Sequence, residues 1–303
     1  MRIALIMTAA LVTVVAFGGG CNMVAFTANQ TSKVLAVASP ALNQESDPEL
    51  ARAAAPASLK TVEGFHLASP DNEVMITILA RGYCEYSFGF LEFDVQKANA
   101  RGDEDTAAAI SKRATGLFLR CMNYGLKLLD GSWEKALYGD QAGLEAKVKG
   151  AGKDDVPGMF FTAMGLAQAI NLNRDDIEMV AFLPKAHVLF ERVAALDGNF
   201  YNGGAHMALG MLYSARSVSL GGDPEKGKKE FEAAIAITDG KFLMPKVLMA
   251  QAYATITNNR ELFHKTLVQV LETSPAVNPD QRLANELAHL RARFLLEREK
   301  EIF

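Results

Sequence analysis

Cysteine, histidine and tryptophan are scarce in this chain of 303 residues, which holds three, five and one of them. So few thiols exclude a disulfide framework as the basis of the fold. No two histidines stand four residues apart, which excludes a zinc-protease helix, and the histidines and cysteines are too scattered for a multi-zinc protein. Charge of one sign is lacking too. Thirty-one Lys and Arg stand against thirty-five Asp and Glu, a formal charge of -4, so the chain offers a polyanion no electrostatic footprint and nucleic acid is not expected as a partner. The chain has no Gly-x-x-x-x-Gly-Lys-Ser/Thr, Gly-x-Gly-x-x-Gly or Gly-x-Ser-x-Gly, the signatures of phosphate loops, dinucleotide folds and nucleophile elbows. What is abundant is apolar material, 50% of residues, enough to bury a sizeable core.

Only the first twenty residues approach a long hydrophobic run. Arg2 precedes an apolar stretch over 3–17, then Gly18, Gly19 and Gly20 lead to Cys21. This reads as a secretory signal over 1–20 of the lipoprotein type, with Cys21 as the lipid-anchored first residue of the mature chain. At ~1.5 Å per residue such a run is about 22 Å long as a helix, short for a permanent span. An ordinary cleavage within 34–38 (VLAVA) is the alternative. The expected location is the periplasm, tethered to a bacterial membrane, with 21–46 as tether and 47–303 as one helical-repeat domain.

Helix punctuation recurs along the rest. Asp47-Pro48-Glu49 and Asp223-Pro224-Glu225 each offer an N-cap acceptor, a proline at the first helical position and an acid for the positive end of the dipole, with Ser69-Pro70-Asp71 and Asn278-Pro279-Asp280 as variants. Leu129-Asp130-Gly131, Leu196-Asp197-Gly198 and Thr238-Asp239-Gly240 close apolar-periodic runs with a glycine suited to a left-handed cap. The spacing predicts helices over 50–67, 73–98, 106–129 and 159–171, and one short helix between loops within 131–155. The run over 74–79 (VMITIL) is strand-like in its β-branched content but continues a helical pattern to Phe93, so it is read as a buried helix start.

From residue 185 the pattern repeats. Helix starts advance by 41 and then 36 residues, and small residues such as Ala208, Gly210, Ala250 and Ala252 stand where paired helices cross closely. The expected fold is all-α, built of tetratricopeptide-like helical hairpins as an α-solenoid or closed helical array.

Candidate chemistry is sparse, and no catalytic residue, metal ligand or cofactor is assigned. Asp103-Glu104-Asp105 and Asp154-Asp155 read as helix-start charges on solvated loops. Met164, Gln168 and Asn171 share one face of the central apolar helix and are the candidates for lining a ligand cavity, with His206 after Gly203-Gly204-Ala205 as a fourth. Met159, Met164, Met207, Met211, Met244 and Met249 read as core filler, the alternative being a channel or groove of the helical array that uses them for an apolar ligand. Cys84 and Cys121 lie at the same height of an antiparallel hairpin turning near 102–103. A disulfide there is geometrically open, although two buried free thiols are the favoured state.

The order of several short pieces carries a family resemblance: Asp47-Pro48-Glu49-Leu50 with Pro56, Leu59-Lys60 and Glu63; Phe182-Leu183-Pro184; Leu196-Asp197 leading to Gly203-Gly204-Ala205-His206; and Gly221-Gly222-Asp223-Pro224-Glu225-Lys226 with Phe231-Glu232-Ala234-Ile235. Arg260-Glu261-Leu262-Phe263 and Arg282-Leu283-Ala284-Asn285 continue it. In these residues the chain resembles the T-component (TatT) family of periplasmic lipoproteins associated with TRAP transporters. The resemblance implies a non-enzymatic accessory protein, without cofactor, that docks a TRAP substrate-binding protein, assembles as a homotrimer and passes a small ligand through an internal pore. The rival expectation is a general envelope scaffold whose repeat surface binds peptides or assembly factors.

Overall fold

The computed structural model describes residues 20–303; among these the chain is helical and no residue lies in a β-strand. The signal segment expected over 1–20 therefore lies outside the described residues, Gly20 excepted. The first helix, α1 (Gly20–Ala38), occupies most of the stretch expected as a tether. It buries Ala28 and Ser32 against α2 (Pro48–Ala68) and α3 (73–100), while Met23, Phe26, Val34 and Val37 face outward. Asn29, midway along α1, ties it to the turn between α2 and α3, its Oδ1 accepting from Ser69 Oγ at 2.7 Å and Asn72 Nδ2 at 2.6 Å.

The caps follow local chemistry. Asp47 Oδ1 accepts from the backbone of Glu49 and Leu50 at the start of α2, and Asp223 Oδ1 does the same for Lys226. Helix α3 takes its cap from Asn72, which accepts from Met75 N at 3.0 Å, and not from Ser69; the VMITIL run is its first two turns. In the middle of α3, Ser87–Glu92 widens into a π-helical stretch. The return helix α4 (Glu104–Lys127) starts at Asp103, which accepts from Thr106 N. Cys84 and Cys121 are joined between α3 and α4, with sulfurs 2.06 Å apart, in place of the free thiols favoured from the sequence. The hairpin turn sets both residues at one height, and their Cα atoms lie 5.4 Å apart, within bridging reach.

Two short helices, α5 (Ser132–Tyr138) and α6 (Gln141–Lys149), stand where one was expected. Asp140 caps the second, and the pairs Trp133/Leu137 and Leu144/Val148 give each its own buried stripe. The central helix α7 (Val156–Leu172) packs on α4 along its length. It carries an aromatic knot: Phe160 stands edge-on to Phe161, Phe190 and Phe200 at centroid distances of 5.3, 6.1 and 5.4 Å. Each fully buried phenylalanine there contributes about 1.5–3 kcal/mol through removal from water.

Three hairpins follow: α8 (Leu183–Asp197) with α9 (Phe200–Ser214), α10 (Pro224–Ile237) with α11 (244–256), and α12 (Arg260–Glu272) with α13 (Arg282–Glu297). Each helix packs on the next in chain order. Lys185 at the start of α8 is buried yet satisfied, donating to the carbonyls of Leu137 and Gly139 at the C-terminus of α5, where the helix dipole favours a cation. The last helix returns to the first ones. α13 packs on α2, Phe294 stands edge-on to Phe93 of α3 at 5.4 Å, and Arg298 donates to the Ala100 carbonyl.

Of the three Asp-Gly endings, one is left-handed: Asp239 and Gly240 have φ of 51° and 70°. Gly131 and Gly198 stay right-handed at φ of -60° and -62°. At Gly198 the reason for glycine is close approach, because a Cβ there would stand 2.8 Å from His206 Nε2. A stronger deviation lies inside α9, where Tyr201, Asn202 and Gly203 adopt φ of 54°, 56° and 76° in succession. Two consecutive non-glycine residues in the left-handed region carry strain of order 1–3 kcal/mol each, held in place by the packing around them.

Candidate functional site

The closed path of helices surrounds a cavity of about 810 Å³, within the range of ligand pockets. Helices α2, α3, α7, α9, α11 and α13 form most of its wall, α1 adds Leu35 and Ala38 and α8 adds Leu183 and Phe190, and most of the lining is apolar. Both π-helical stretches lie on it, through Phe88, Gly89 and Glu92 of the first and Gln251 and Ala252 of the second. Such widened turns recur at functional positions because they re-aim side chains within an otherwise regular helix.

Of the residues expected to line a cavity, Met164, Gln168 and Asn171 all reach the wall, brought together by their spacing on α7. His206 does not join them. Its Nδ1 meets Glu230 Oε2 of α10 at 2.6 Å, and its ring sits against Gly198, so it ties α9 to its neighbours. Four of the six methionines read as core filler, Met164, Met207, Met211 and Met244, line the cavity; Met159 and Met249 are buried elsewhere in the core. Cys21 lies in the first turn of α1.

The charged part of the wall was not visible from the sequence. On α3, Arg81 Nε donates to Glu85 Oε1 at 2.8 Å, and the same oxygen accepts from Tyr201 Oη at 2.6 Å. Tyr201 reaches it from the far end of the chain, through the left-handed kink that turns its ring inward. Burial raises the Tyr201 phenol well above its ordinary range, and the adjacent Glu85 carboxylate adds to this, so the hydroxyl remains a donor at any physiological pH. For the Arg81 guanidinium, burial alone would lower the pKa, but Glu85 outweighs it and the net direction is upward.

A second arginine borders the cavity where α13 meets α3. Arg291 of α13 is 2% exposed, pairs with Glu92 Oε2 at 2.7 Å and donates to the Phe88 carbonyl, with its guanidinium stacked 4.5 Å from the Phe88 ring and 5.1 Å from that of Phe93. Glu92 in turn accepts from Gln96 at 2.6 Å. On the outer side of the same helices, Glu63 Oε1 accepts from Tyr83 Oη at 2.7 Å and Tyr124 Oη at 3.1 Å, and Glu63 is paired with Lys60. Burial would raise the Glu63 carboxyl, but the Lys60, Tyr83 and Tyr124 hydrogen bonds prevail and lower it. Burial and Glu63 push the Tyr83 phenol up to about 12.

Among the described residues no three or more His, Cys, Asp or Glu gather as a metal would require, and no helix is long and apolar enough to cross a membrane. The arrangement is an apolar chamber with a small number of fixed polar groups on its wall, the composition common to small-molecule pockets.

The family model described as TRAP transporter T-component matches residues 44–303. The chain is also 25% identical over 264 residues to an uncharacterized protein of Treponema pallidum (strain Nichols), an alignment that covers 86% of this chain and 81% of that protein.

Proposed function

The chain belongs to the TRAP transporter T-component family, an accessory component of these importers, and on that premise we propose that it is a non-enzymatic lipoprotein of the periplasm that docks the substrate-binding protein and holds a small ligand in its internal cavity on the way to or from that partner. The observation that carries this reading is the 810 Å³ chamber enclosed by the closed path of helices. The successive hairpins after residue 183, each packed on the next, support a tetratricopeptide-like array whose outer surface serves for docking. The outward-facing Met23, Phe26, Val34 and Val37 of α1 support attachment beside a lipidated Cys21, since an apolar helix face belongs at a membrane boundary.

Two experiments test the reading. Surface plasmon resonance between this protein and a TRAP substrate-binding protein of the same organism is expected to give saturable binding. Absence of binding, with a peptide or assembly factor captured instead, would favour the scaffold. Separately, Cys21→Ala is expected to release the protein from membranes and to abolish a globomycin-sensitive change in mobility; normal processing and retention of the variant defeats the anchor.

A further inference from the structure

Part of the chamber wall comes from residues in front of the helical circuit. Leu35 and Ala38 of α1 line it, followed by Ser39, Leu42 and Asn43 around the single helical turn Pro40–Asn43. Helix α1 packs on α2, and that turn packs on α13, so the segment reaches from one helix to the other across the lining residues Leu59, Val62, Leu283 and Leu287. All five N-terminal residues stand before residue 44, where the family match begins.

This piece of wall is held lightly. Between residues 23 and 44 only Ala28 and Ser32 are buried, and none of Pro40–Asn43 is. The one charged residue in that stretch, Lys33, is exposed. Among the described residues two polar clasps tie it down. At one, Asn72 Nδ2 donates to Asn29 Oδ1 and Ser32 Oγ, and Ser69 Oγ donates to the same Asn29 oxygen. At the other, Gln44 Nε2 donates to Asp280 Oδ1 at 3.0 Å. Both are largely open to solvent, where water competes for the same groups, so each contributes little.

Helix α2, by contrast, needs nothing from the segment. Asp47 Oδ1 caps it through Glu49 N and Leu50 N, and the chain before it turns locally, with Glu45 Oε1 accepting from Ser46 N and Asp47 N. The segment can therefore lift at 45–46 without unwinding α2. Elements with few buried apolar contacts and exposed hydrogen bonds open at low free energy. Here the lightly held residues are also wall: Leu35 and Leu42 are half-buried against the core, so lifting them uncovers the apolar lining beneath.

We infer that α1 and the Pro40–Asn43 turn form a strap over the chamber, clasped at Asn29 and Gln44, that closes on a bound ligand and lifts to release it. The inference rests on the reading of this cavity as a ligand site. A ligand touching Leu35 and Leu42 binds the closed strap better than the lifted one, so occupancy and closure strengthen each other by the same factor.

The probe is N-phenyl-1-naphthylamine, an uncharged apolar dye whose fluorescence rises on leaving water. In the full chain, hydrogen exchange is expected to be at least about tenfold faster in α1 than in α2, and saturating dye is expected to slow α1 by at least about fivefold. Dye dissociation, followed by displacement in stopped flow, is expected to speed up at least about threefold in Asn29→Ala/Gln44→Ala, which loosens both clasps and touches no lining residue. It is expected to slow at least about fivefold when Gln44→Cys/Asp280→Cys, in a Cys21→Ala background, is joined by a bis-maleimide. Exchange as slow in α1 as in α2 overturns the strap, as does exchange in α1 that ignores the dye or one dissociation rate shared by all three proteins. In each of those cases dye binding leaves the cavity reading standing. If the dye does not bind, both readings fall.

Discussion

The helices up to residue 172 and the hairpins after residue 183 meet the same cavity with different chemistry. The first group presents Arg81, Glu85, Glu92 and Gln96 from α3 and Gln168 and Asn171 from α7; the second presents many apolar side chains, such as Met207, Met211, Leu248 and Leu287, and uncharged polar ones such as Asn202, Gln251 and Thr255. Two of its polar residues cross to the first group, Tyr201 to Glu85 and Arg291 to Glu92. The difference teaches that charge and volume have separate sources here: both acids of the wall stand on α3, and the hairpins shape the space around them.

The sharpest way to break that division is at the crossing points. Arg291→Ala leaves Glu92 buried without its partner and removes a guanidinium wedged between Phe88 and Phe93. A loss of about 3–5 kcal/mol is expected in urea unfolding, with Arg291→Met/Glu92→Gln recovering most of it. A loss below about 1 kcal/mol would mean that the two groups do not depend on this seam.

The next largest effect belongs to the first group alone. The Cys84–Cys121 bond closes a loop spanning 37 positions, so reduction is expected to destabilise by about 2–4 kcal/mol. Hydrogen exchange is expected to rise in α3 and α4 while α10 to α13 keep their protection. Uniform loss of protection would show that the two groups unfold as one, and alkylation of both thiols without reductant would show that the bond is not made.

The smallest effect concerns pH. The Glu63 carboxyl is lowered in the folded chain, with Lys60 and the Tyr83 and Tyr124 hydroxyls overcoming the cost of its burial, so it binds protons less readily when folded than when unfolded. Its contribution is full above the ordinary carboxylate range and fades as the pH falls through the lowered folded value. Partial solvent access and screening keep this below about 1 kcal/mol. Glu63→Gln is expected to lower stability at neutral pH by that amount and to leave the acid end nearly unchanged, which flattens the acid limb of the profile; an unchanged acid limb would show that another carboxylate controls it.

What could be read from the sequence was local. Helix starts at Pro48 and Pro224 follow from an aspartate one residue earlier, and the lining role of Met164, Gln168 and Asn171 from spacing on a single helix. The rest depended on distance along the chain. Arg81 and Tyr201 are 120 positions apart, Glu92 and Arg291 199, and nothing in either neighbourhood names the other. His206 drew attention through the glycines before it, yet those glycines serve a left-handed turn and a close packing contact, and the residue they deliver to the cavity is Tyr201. The Gly198 ending differs for a related reason: a glycine ending a helix reads the same whether it is needed for φ or for clearance, and Gly131 is required for neither.

The return of α13 onto α2 and α3 has a geometric consequence. An open spiral of hairpins accepts another turn at either end and merely grows longer, whereas one whose tail must meet its own head accepts only the number of hairpins that brings the circuit round. In this chain the bore is therefore altered by exchanging residues along its inner circumference, since inserting or deleting a hairpin would separate Arg291 from Glu92 and unlock the circuit.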